Sequence, residues 1–348
     1  MALEADILKP EVLEPGAHIR VISPASGLWK RSELERGLSS LRTMGFRVST
    51  GRYAYNTQHY LAGPDEARAQ DFQEAFEDPD VDAVLCSQGG YGSARLFPYL
   101  DFARIGANPK PFIGYSDITA LHLMLGSQCG LVTFHGPGAT GFERGFLTDY
   151  TKTAFLRALC STEPLGMVRL PDPIKEILTL HPGIAEGPLV GGNLTLICAS
   201  LGTPYEIDTR GAILFFEELD TEPWILDHLL THLGNAGKLR DAAGFAVGEC
   251  MNCEPQKLDP GFFTQRSFED ILYEIFTELG KPAIYGLPIG HNRDRVTVPL
   301  GVEARLDATS GAMTLLEGAT VSSGASGRNQ SIFGADVRPD TMERSGGG

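Results

Sequence analysis

The feature that most constrains the fold is an alternation of short apolar runs and helical patterns across the N-terminal part of the chain. Runs typical of buried strands lie at 17–23, 81–86 and 111–114, and the stretches between them repeat apolar residues at helical spacing. This alternation predicts a parallel α/β sheet, whose ligands bind beyond the carboxyl ends of the strands. Two loops at such ends, 87–92 and 114–117, are rich in glycine or carry serine. We therefore expect a site at this edge of the sheet.

The loop at 114–117 reads Gly-Tyr-Ser-Asp, and a helical segment follows it at once. This order predicts a strand that turns sharply into a helix, with Ser116 near backbone N–H groups that favour developing negative charge. The arrangement is similar to a nucleophile elbow, although Ile118 stands where a second glycine would be. Asp117 is equally suited to cap the helix, so a well-capped turn without a catalytic role is the alternative.

The second half of the chain has two more strand ends with reactive side chains. Glu217 and Glu218 end the apolar run at 211–216, where strand alternation sends their carboxylates to opposite faces. His291 follows the apolar sequence Gly-Leu-Pro-Ile-Gly. A serine, a carboxylate and a histidine at three strand ends favour a nucleophile, an orienting acid and a general base. A pair of surface carboxylates and a structural histidine remain the alternative.

Two other features lie close to Ser116 in the sequence. His135 is a competing base, but the Gly-Pro that follows it indicates a turn and a structural or substrate-lining role. The loop at 87–92, Ser-Gln-Gly-Gly-Tyr-Gly, lacks the spacing of a dinucleotide fingerprint and the lysine of a P-loop. Such a loop can instead offer a backbone N–H that forms an oxyanion hole together with the N–H of Asp117.

A length of 348 residues allows two domains with separate cores. The proline-rich, aperiodic stretch at 166–187 predicts a linker between an N-terminal domain, 1–165, and a C-terminal domain, 188–321. Residues 322–348 are rich in glycine and serine, which predicts a flexible tail.

Charge and hydropathy exclude several classes of partner. The formal net charge of −15 argues against nucleic acid or an anionic membrane surface, because both attract basic proteins. The N-terminus shows no secretory signal, and no apolar run approaches the roughly 20 residues that span a bilayer. We expect a cytoplasmic protein without a membrane segment.

The cysteines do not form a recognisable metal site. Cys250 and Cys253 are a lone CxxC pair, whereas a structural zinc usually takes four ligands. His228 and His232 could supply two more, but their order and spacing match no familiar zinc module. We therefore expect no bound metal, and cysteines that are reduced and mostly buried.

Taken together, seven motifs resemble the LD-carboxypeptidase family, the muramoyltetrapeptide carboxypeptidases. They are Gly-Gly-Tyr-Gly at 89–92, Ile-Gly-Tyr-Ser-Asp at 113–117, His-Gly-Pro at 135–137, Gly-Gly-Asn-Leu at 191–194, Leu-Phe-Phe-Glu-Glu at 214–218, Gly-Glu-Cys-x-x-Cys-Glu-Pro at 248–255 and Gly-x-Pro-x-Gly-His at 286–291. The resemblance covers nearly the whole chain. It implies a flavodoxin-like α/β domain followed by a swivelling, β-rich (β/β/α) domain, with a Ser-Glu-His triad shared between them.

The resemblance also implies a role for each matching residue. Ser116 would be the nucleophile, Glu217 the orienting acid and His291 the general base. Glu217 is preferred to its neighbour because the family's acid is the first of its Glu-[Asp/Glu] pair. The oxyanion-hole amides would come from Gly90 and Asp117.

Other residues of these motifs are expected to line the substrate. They are Gln88, Gly89, Tyr115 and His135, with Gly89 as the alternative to Gly90 in the oxyanion hole. Family members commonly carry arginine where this chain has Gln88, and glutamine offers only neutral hydrogen bonds.

The implied reaction is hydrolysis of the amide between an L-configured centre and a C-terminal D-amino acid, as in murein tetrapeptides that end in D-alanine. The resemblance implies no metal or cofactor and a homodimer. Two alternatives predict other behaviour: a microcin C immunity-type peptidase would cleave aminoacyl-nucleotide conjugates, and a non-catalytic ligand-binding protein would hydrolyse nothing.

Overall fold

Two β-sheets with flanking helices organise the chain. The computed structural model describes residues 7–143, 147–172, 176–255 and 266–322. All but the first residue of the predicted tail, 322–348, lies outside the described residues.

The strands, in chain order, are β1 (His18–Ile22), β2 (Arg47–Thr50), β3 (Ala83–Cys86), β4 (Phe112–Gly114), β5 (Thr133–His135), β6 (Gly166–Met167), β7 (Leu178–His181), β8 (Ile184–Asn193), β9 (Ile213–Glu217), β10 (Gly244–Glu249), β11 (Ala283–Gly290), β12 (Val298–Leu300), β13 (Glu303–Asp307) and β14 (Ala312–Leu315). The α-helices are α1 (Arg31–Thr43), α2 (Asp65–Glu77), α3 (Phe102–Gly106), α4 (Thr119–Cys129), α5 (Asp149–Leu159), α6 (Leu194–Ser200), α7 (Pro223–Asn235), α8 (Lys238–Asp241) and α9 (Phe268–Leu279). Short 3-10 helices occupy Ser93–Tyr99, Ser116–Ile118 and Ala139–Phe142. None of the helices in the described part of the chain combines the length and apolar character needed to cross a bilayer.

The first sheet has the strand order β12-β5-β4-β3-β1-β2. Strands β1 to β5 are parallel, and β12 joins the edge antiparallel to β5. The order β2-β1-β3-β4-β5 is that of the flavodoxin-like fold, so the predicted parallel α/β architecture is confirmed. Because β3 pairs with β4, the loops that follow these two strands lie at the same edge.

The second sheet has the order β6-β14-β13-β8-β9-β10-β11-β7. Its centre is parallel, from β8 to β11, and the outer strands pair antiparallel. The carboxyl ends of β9 and β11 therefore lie at one edge, on either side of β10. The mixed, β-rich second half agrees with the expected fold class.

Two segments differ from the sequence-based division of the chain. The stretch predicted as a linker, 166–187, contributes β6, β7 and the start of β8 to the second sheet. Met167 pairs with Thr314, and such distant pairing leaves no local periodicity in the sequence. Strand β12 lies within the range predicted for the C-terminal domain, yet it completes the first sheet.

The two sheets share part of their apolar core. One buried cluster contains Val21, Ile113 and Phe134 from the first sheet and Ile213 and Phe215 from the second. This shared packing fixes the position of one sheet against the other. It also fixes the relative position of the strand ends that carry polar side chains.

Candidate active site

Ser116 occupies a strained turn at the end of β4. Tyr115 continues the extended backbone, and Ser116 then has a φ of 63°, in the left-handed region that non-glycine residues rarely adopt. A conformation of this kind costs on the order of 1 kcal/mol and persists only where the surrounding structure imposes it. The 3-10 turn and α4 follow directly, as the strand-to-helix pattern predicted.

Asp117 does not cap this helix, so the alternative of a well-capped turn is wrong. Neither the 3-10 turn nor α4 has a side-chain cap. The buried Asp117 carboxylate instead accepts a hydrogen bond from the Ser93 N–H, with Oδ2 2.9 Å from N. Burial raises the pKa of Asp117, and the hydrogen bonds from Ser93 oppose that rise. The Ser93 hydroxyl donates to the Asp117 carbonyl at 2.7 Å, which ties the serine turn to the loop after β3.

That loop lies directly against Ser116. A Cβ added at Gly89 would stand 2.8 Å from the Ser116 Cβ, so only glycine fits there without displacement. Gly90 has a φ of 110°, and its neighbour Tyr91 donates its N–H to the Ser26 hydroxyl at 3.0 Å. Among the described residues, the amides of Gly89 and Gly90 donate to no other backbone group. Free N–H groups beside a serine are what an oxyanion hole requires.

Glu217 and His291 come together at the edge of the second sheet. Glu217 ends β9 with its side chain fully buried, and His291 follows β11 with its side chain 11% exposed. The Nδ1 atom of His291 lies 2.7 Å from Oε2 of Glu217. Because a carboxylate can only accept, Nδ1 carries the proton and Nε2 of the neutral ring is free to accept one. Gly290 makes room for this contact, since a Cβ there would lie 2.8 Å from the same carboxylate oxygen.

Glu218 points to the opposite face and is fully engaged. Its carboxylate accepts from the Asn193 side-chain amide at 2.8 Å, from the Thr195 N–H and hydroxyl at 2.9 and 2.6 Å, and from the Leu219 N–H at 3.0 Å. Glu217, by contrast, has one carboxylate oxygen, Oε1, that is buried without a partner among the described residues. The strand alternation predicted for this pair is confirmed, and the two carboxylates have different surroundings.

Asn193 links the two edges. Its backbone N–H donates to the Thr119 hydroxyl at 2.9 Å, at the start of the helix that follows Ser116. In the second sheet Asn193 pairs with Glu217. The serine turn and the carboxylate–histidine pair are thus connected through one residue, although Ser116 and His291 form no hydrogen bond with each other in this structure.

Tyr115, which directly precedes Ser116, contacts His291 through its ring. Its ring centroid lies 4.9 Å from that of His291, and the Arg295 guanidinium carbon lies 4.9 Å from the Tyr115 ring centroid. Sequence reasoning did not single out Arg295. The chain offers only a weak signal for it, a cation four residues after His291 in a loop without periodicity.

His135 is buried, with 1% of its surface exposed, and among the described residues neither ring nitrogen has a hydrogen-bond partner. Desolvation holds its pKa well below the usual range, with further lowering from His122, His291 and Arg295. The ring is therefore neutral, and its burial favours a structural role over contact with substrate. His122, on α4, donates its Nε2–H to the Gly114 carbonyl at 2.9 Å, and burial lowers its pKa to about 4.

Two further predictions concern Gln88 and the cysteine pair. Gln88 is half-buried and donates its side-chain amide to the Gly27 carbonyl at 2.9 Å, so it holds a neighbouring loop. Cys250 and Cys253 are free thiols that donate to the carbonyls of Gly248 and Met251, at 3.9 and 3.4 Å. Within the described ranges, no group of three or more His, Cys, Asp or Glu side chains could hold a metal ion.

These features define a class of protein: a two-sheet α/β fold with a strained serine turn at one sheet edge and a buried carboxylate–histidine pair at the other. The N-terminal domain of the LD-carboxypeptidase family matches residues 19–136, and the C-terminal domain of that family matches residues 186–306. The chain therefore belongs to the LD-carboxypeptidase family, as its motifs predicted, and is a peptidase by that membership.

Similar proteins carry related names. A probable murein peptide carboxypeptidase of Bacillus subtilis is 40% identical over 318 residues, which cover 91% of this chain and 96% of the relative. The crystal structure of a muramoyltetrapeptide carboxypeptidase from Oxalobacter formigenes matches with a TM-score of 0.74 and 31% identity, over 86% of this chain and 98% of that one. The microcin C7 self-immunity protein MccF, in its apo state, matches with a TM-score of 0.80 and 26% identity, over 90% and 100% of the two chains. The fold expected from the sequence is confirmed by these likenesses.

Proposed function

We propose that this chain is a serine carboxypeptidase that hydrolyses the L,D-amide bond of murein tetrapeptides and releases the C-terminal D-alanine. The observation that carries the proposal is the 2.7 Å hydrogen bond between Glu217 and His291, whose ring lies 4.9 Å from the ring of Tyr115, the residue before the strained Ser116. Family membership supplies the reaction class. The names of the relatives support murein peptides as the substrates.

In the first half of the reaction, Ser116 Oγ attacks the scissile carbonyl carbon while its proton passes to His291 Nε2. The carbon–oxygen bond forms, and the carbonyl electron pair moves onto oxygen. The N–H groups of Gly90 and Asp117 stabilise that oxyanion, with Gly89 as the alternative donor. Ser116 and His291 come within hydrogen-bonding distance when substrate binds, since catalytic contacts are often long in unliganded enzymes.

Collapse of the oxyanion breaks the carbon–nitrogen bond, and His291 gives its proton to the departing amine of D-alanine. Water then attacks the acyl-enzyme, again losing its proton to His291, and the oxygen–carbon bond to Ser116 breaks as His291 returns that proton to Ser116 Oγ. Glu217 remains ionised throughout and stabilises the imidazolium. Its buried position strengthens that attraction, because the surroundings are of low dielectric.

A microcin C immunity-type peptidase is the second candidate, favoured by the high TM-score to MccF. Sequence identity points the other way, at 40% to the murein peptide carboxypeptidase and 29% to MccF of Escherichia coli. Since both readings use the same proposed triad, only the substrate separates them.

The test is incubation with L-Ala-D-Glu-diaminopimelate-D-Ala and, in parallel, with an aminoacyl sulfamoyl adenosine. We expect free D-alanine from the tetrapeptide by mass spectrometry and none of it with Ser116→Ala. Cleavage of the nucleotide conjugate alone would establish the second candidate. Hydrolysis of neither substrate, together with no labelling of Ser116 by a serine-reactive phosphonate, would support a non-catalytic binding protein.

The same proposal places the enzyme in the cytoplasm as a homodimer, where it would act on recycled murein peptides. The family resemblance supports the homodimer, and the six free cysteines support a reducing compartment. Light scattering on the purified full chain tests the dimer, and a monomer at micromolar concentration would remove that part of the proposal.

A further inference from the structure

The geometry points to Arg295 as the residue that binds the terminal carboxylate of the substrate, an inference that rests on the proposed carboxypeptidase function. A carboxypeptidase must recognise the free carboxylate next to the bond it cleaves. Gln88, in the loop beside Ser116, is neutral, and its amide is engaged with the Gly27 carbonyl. A positive charge that pairs with the carboxylate would come from another residue of the site.

Arg295 lies among the residues of the proposed triad. Its guanidinium carbon is 4.9 Å from the centroid of the Tyr115 ring, and the same ring is 4.9 Å from the His291 ring. Tyr115 directly precedes Ser116. Nη2 of Arg295 donates to the His291 carbonyl at 3.3 Å, and the Arg295 backbone N–H donates to the Thr151 hydroxyl at 3.0 Å. The first contact holds the guanidinium at His291, and the second fixes the backbone of its loop.

The guanidinium retains unused hydrogen-bonding capacity. In the described part of the chain, Arg295 forms no ion pair with a carboxylate, although the chain carries a net charge of −15. Its Nη1 is buried and has no hydrogen-bond partner among the described residues. A buried N–H of a cation without an acceptor is costly, and a bound carboxylate would satisfy it. The guanidinium carbon lies over the Tyr115 ring, and the N–H groups of a guanidinium can bind a planar carboxylate.

Two arginines near the glycine loop are already paired with a carboxylate. Arg68, behind the glycine loop, is fully buried and paired with Asp65. Arg95 pairs with the same carboxylate at 2.7 Å. Neither is available to a substrate without breaking an existing ion pair.

The experiment compares two tetrapeptides, one ending in D-alanine and one in D-alaninamide, which differ only in the terminal charge. For the wild-type enzyme we expect kcat/KM to favour the free acid by roughly 100-fold, mostly through KM. Arg295→Gln should lower kcat/KM for the acid by roughly 100-fold and for the amide by less than about 3-fold, so that the preference disappears. Arg295→Lys should retain part of the preference, because it keeps the charge but loses the planar fork.

Arg293→Gln is the matched control, since it removes one positive charge from the same loop. It should leave the preference for the acid intact. If Arg295→Gln lowers both substrates by the same factor, Arg295 only positions Tyr115 and His291, and the assignment is wrong.

Binding measured without turnover separates this inference from the proposed function. In the Ser116→Ala background, calorimetry should show the acid binding more tightly than the amide by at least about 10-fold, and adding Arg295→Gln should abolish the difference. Equal affinities in the Ser116→Ala background would overturn the role of Arg295 whether or not the wild type releases D-alanine. A preserved difference together with no D-alanine release would instead remove the proposed function and leave the carboxylate site.

Discussion

The two sheet edges that meet at the candidate site contribute different kinds of group. The edge of the first sheet offers backbone: a serine held at a positive φ, and glycine amides pressed against it. The edge of the second sheet offers buried charge, with Glu217 fully buried, Glu218 nearly so, and His291 bonded to the first of them. We therefore expect substitutions at the first edge to change activity and stability through backbone geometry. Substitutions at the second edge should change them through charge and hydrogen bonding.

The largest effects are expected for the proposed nucleophile and the proposed general base, one at each edge. We expect Ser116→Ala and His291→Ala each to lower kcat by roughly 10⁴- to 10⁶-fold, because members of a triad act as one unit. Circular dichroism and urea unfolding should show the fold intact. Residual turnover within about 10-fold of wild type in either variant would contradict the triad.

Ser116→Gly tests whether the backbone at the first edge is strained. Glycine adopts a positive φ without steric cost, so this inactive variant should be more stable than Ser116→Ala by about 0.5–1 kcal/mol. The free energy of unfolding, measured in urea, gives the difference. If the glycine variant is the less stable of the two, backbone strain at Ser116 is not what distinguishes this edge.

The second edge is tested by two adjacent carboxylates that differ in their partners. Glu217→Gln removes the anion that orients and stabilises His291, and kcat should fall by about 10³- to 10⁴-fold with little change in stability. Glu218→Gln puts an amide NH₂ among donors from Asn193, Thr195 and Leu219, so it should cost roughly 2–3 kcal/mol of stability and less than about 10-fold in kcat. Similar profiles for the two variants would show that the carboxylates share one role.

The outline of both edges could be predicted because it depends on local sequence. Ser116, Glu217 and His291 each follow an apolar run, and the structure ends β4, β9 and β11 at or just before them. The parallel pairing that gathers strand ends at one edge follows from the alternation of strands and helices. The left-handed φ of Ser116 does not follow in the same way, because the loop packed against it imposes that conformation.

Contacts between distant segments could not be predicted. The proline-rich stretch at 166–187 forms strands only because β14 and β11 pair with it from more than a hundred residues away. Arg295 contacts Tyr115 from a loop that has no periodicity. The sequence alone does not distinguish it from Arg293 in the same loop. Strand order and loop conformation depend on tertiary packing, which a local pattern does not encode.

A smaller effect is expected where the glycine loop touches Ser116. A methyl group at Gly89 would stand 2.8 Å from the Ser116 Cβ and 3.2 Å from its Oγ, so the serine must move. We expect Gly89→Ala to lower kcat/KM by about 10- to 100-fold, since small displacements of a nucleophile are costly. Gly126→Ala, in α4, is the control because no atom lies within 4 Å of its added methyl group. Equal activity of both variants would show that the loop tolerates the displacement.

The last effect concerns stability behind the serine turn, where no catalytic group is changed. His122 is buried on α4, and burial lowers its pKa to about 4 from 6.5. As pH falls below 6.5, the unfolded chain binds a proton that folded His122 refuses, so this residue contributes stability above that pH and loses it on acidification. Between pH 7 and pH 5 the loss is roughly 2 kcal/mol. Buried His135 acts in the same direction.

Asp71 acts in the opposite direction, because burial raises its pKa to about 6 and its stabilising effect is lost as pH rises. The contribution of His122 is therefore measured as the difference in free energy of unfolding between the wild type and a His122 variant. His122→Gln keeps a side-chain amide near the Gly114 carbonyl and removes the titrating ring, whatever its effect at neutral pH. We expect urea unfolding to show a gap between variant and wild type that moves by roughly 2 kcal/mol in favour of the variant from pH 7 to pH 5. A gap that stays constant over this range would mean that His122 takes up its proton equally in the folded and unfolded chain, and that the first edge too carries a buried charge at acidic pH.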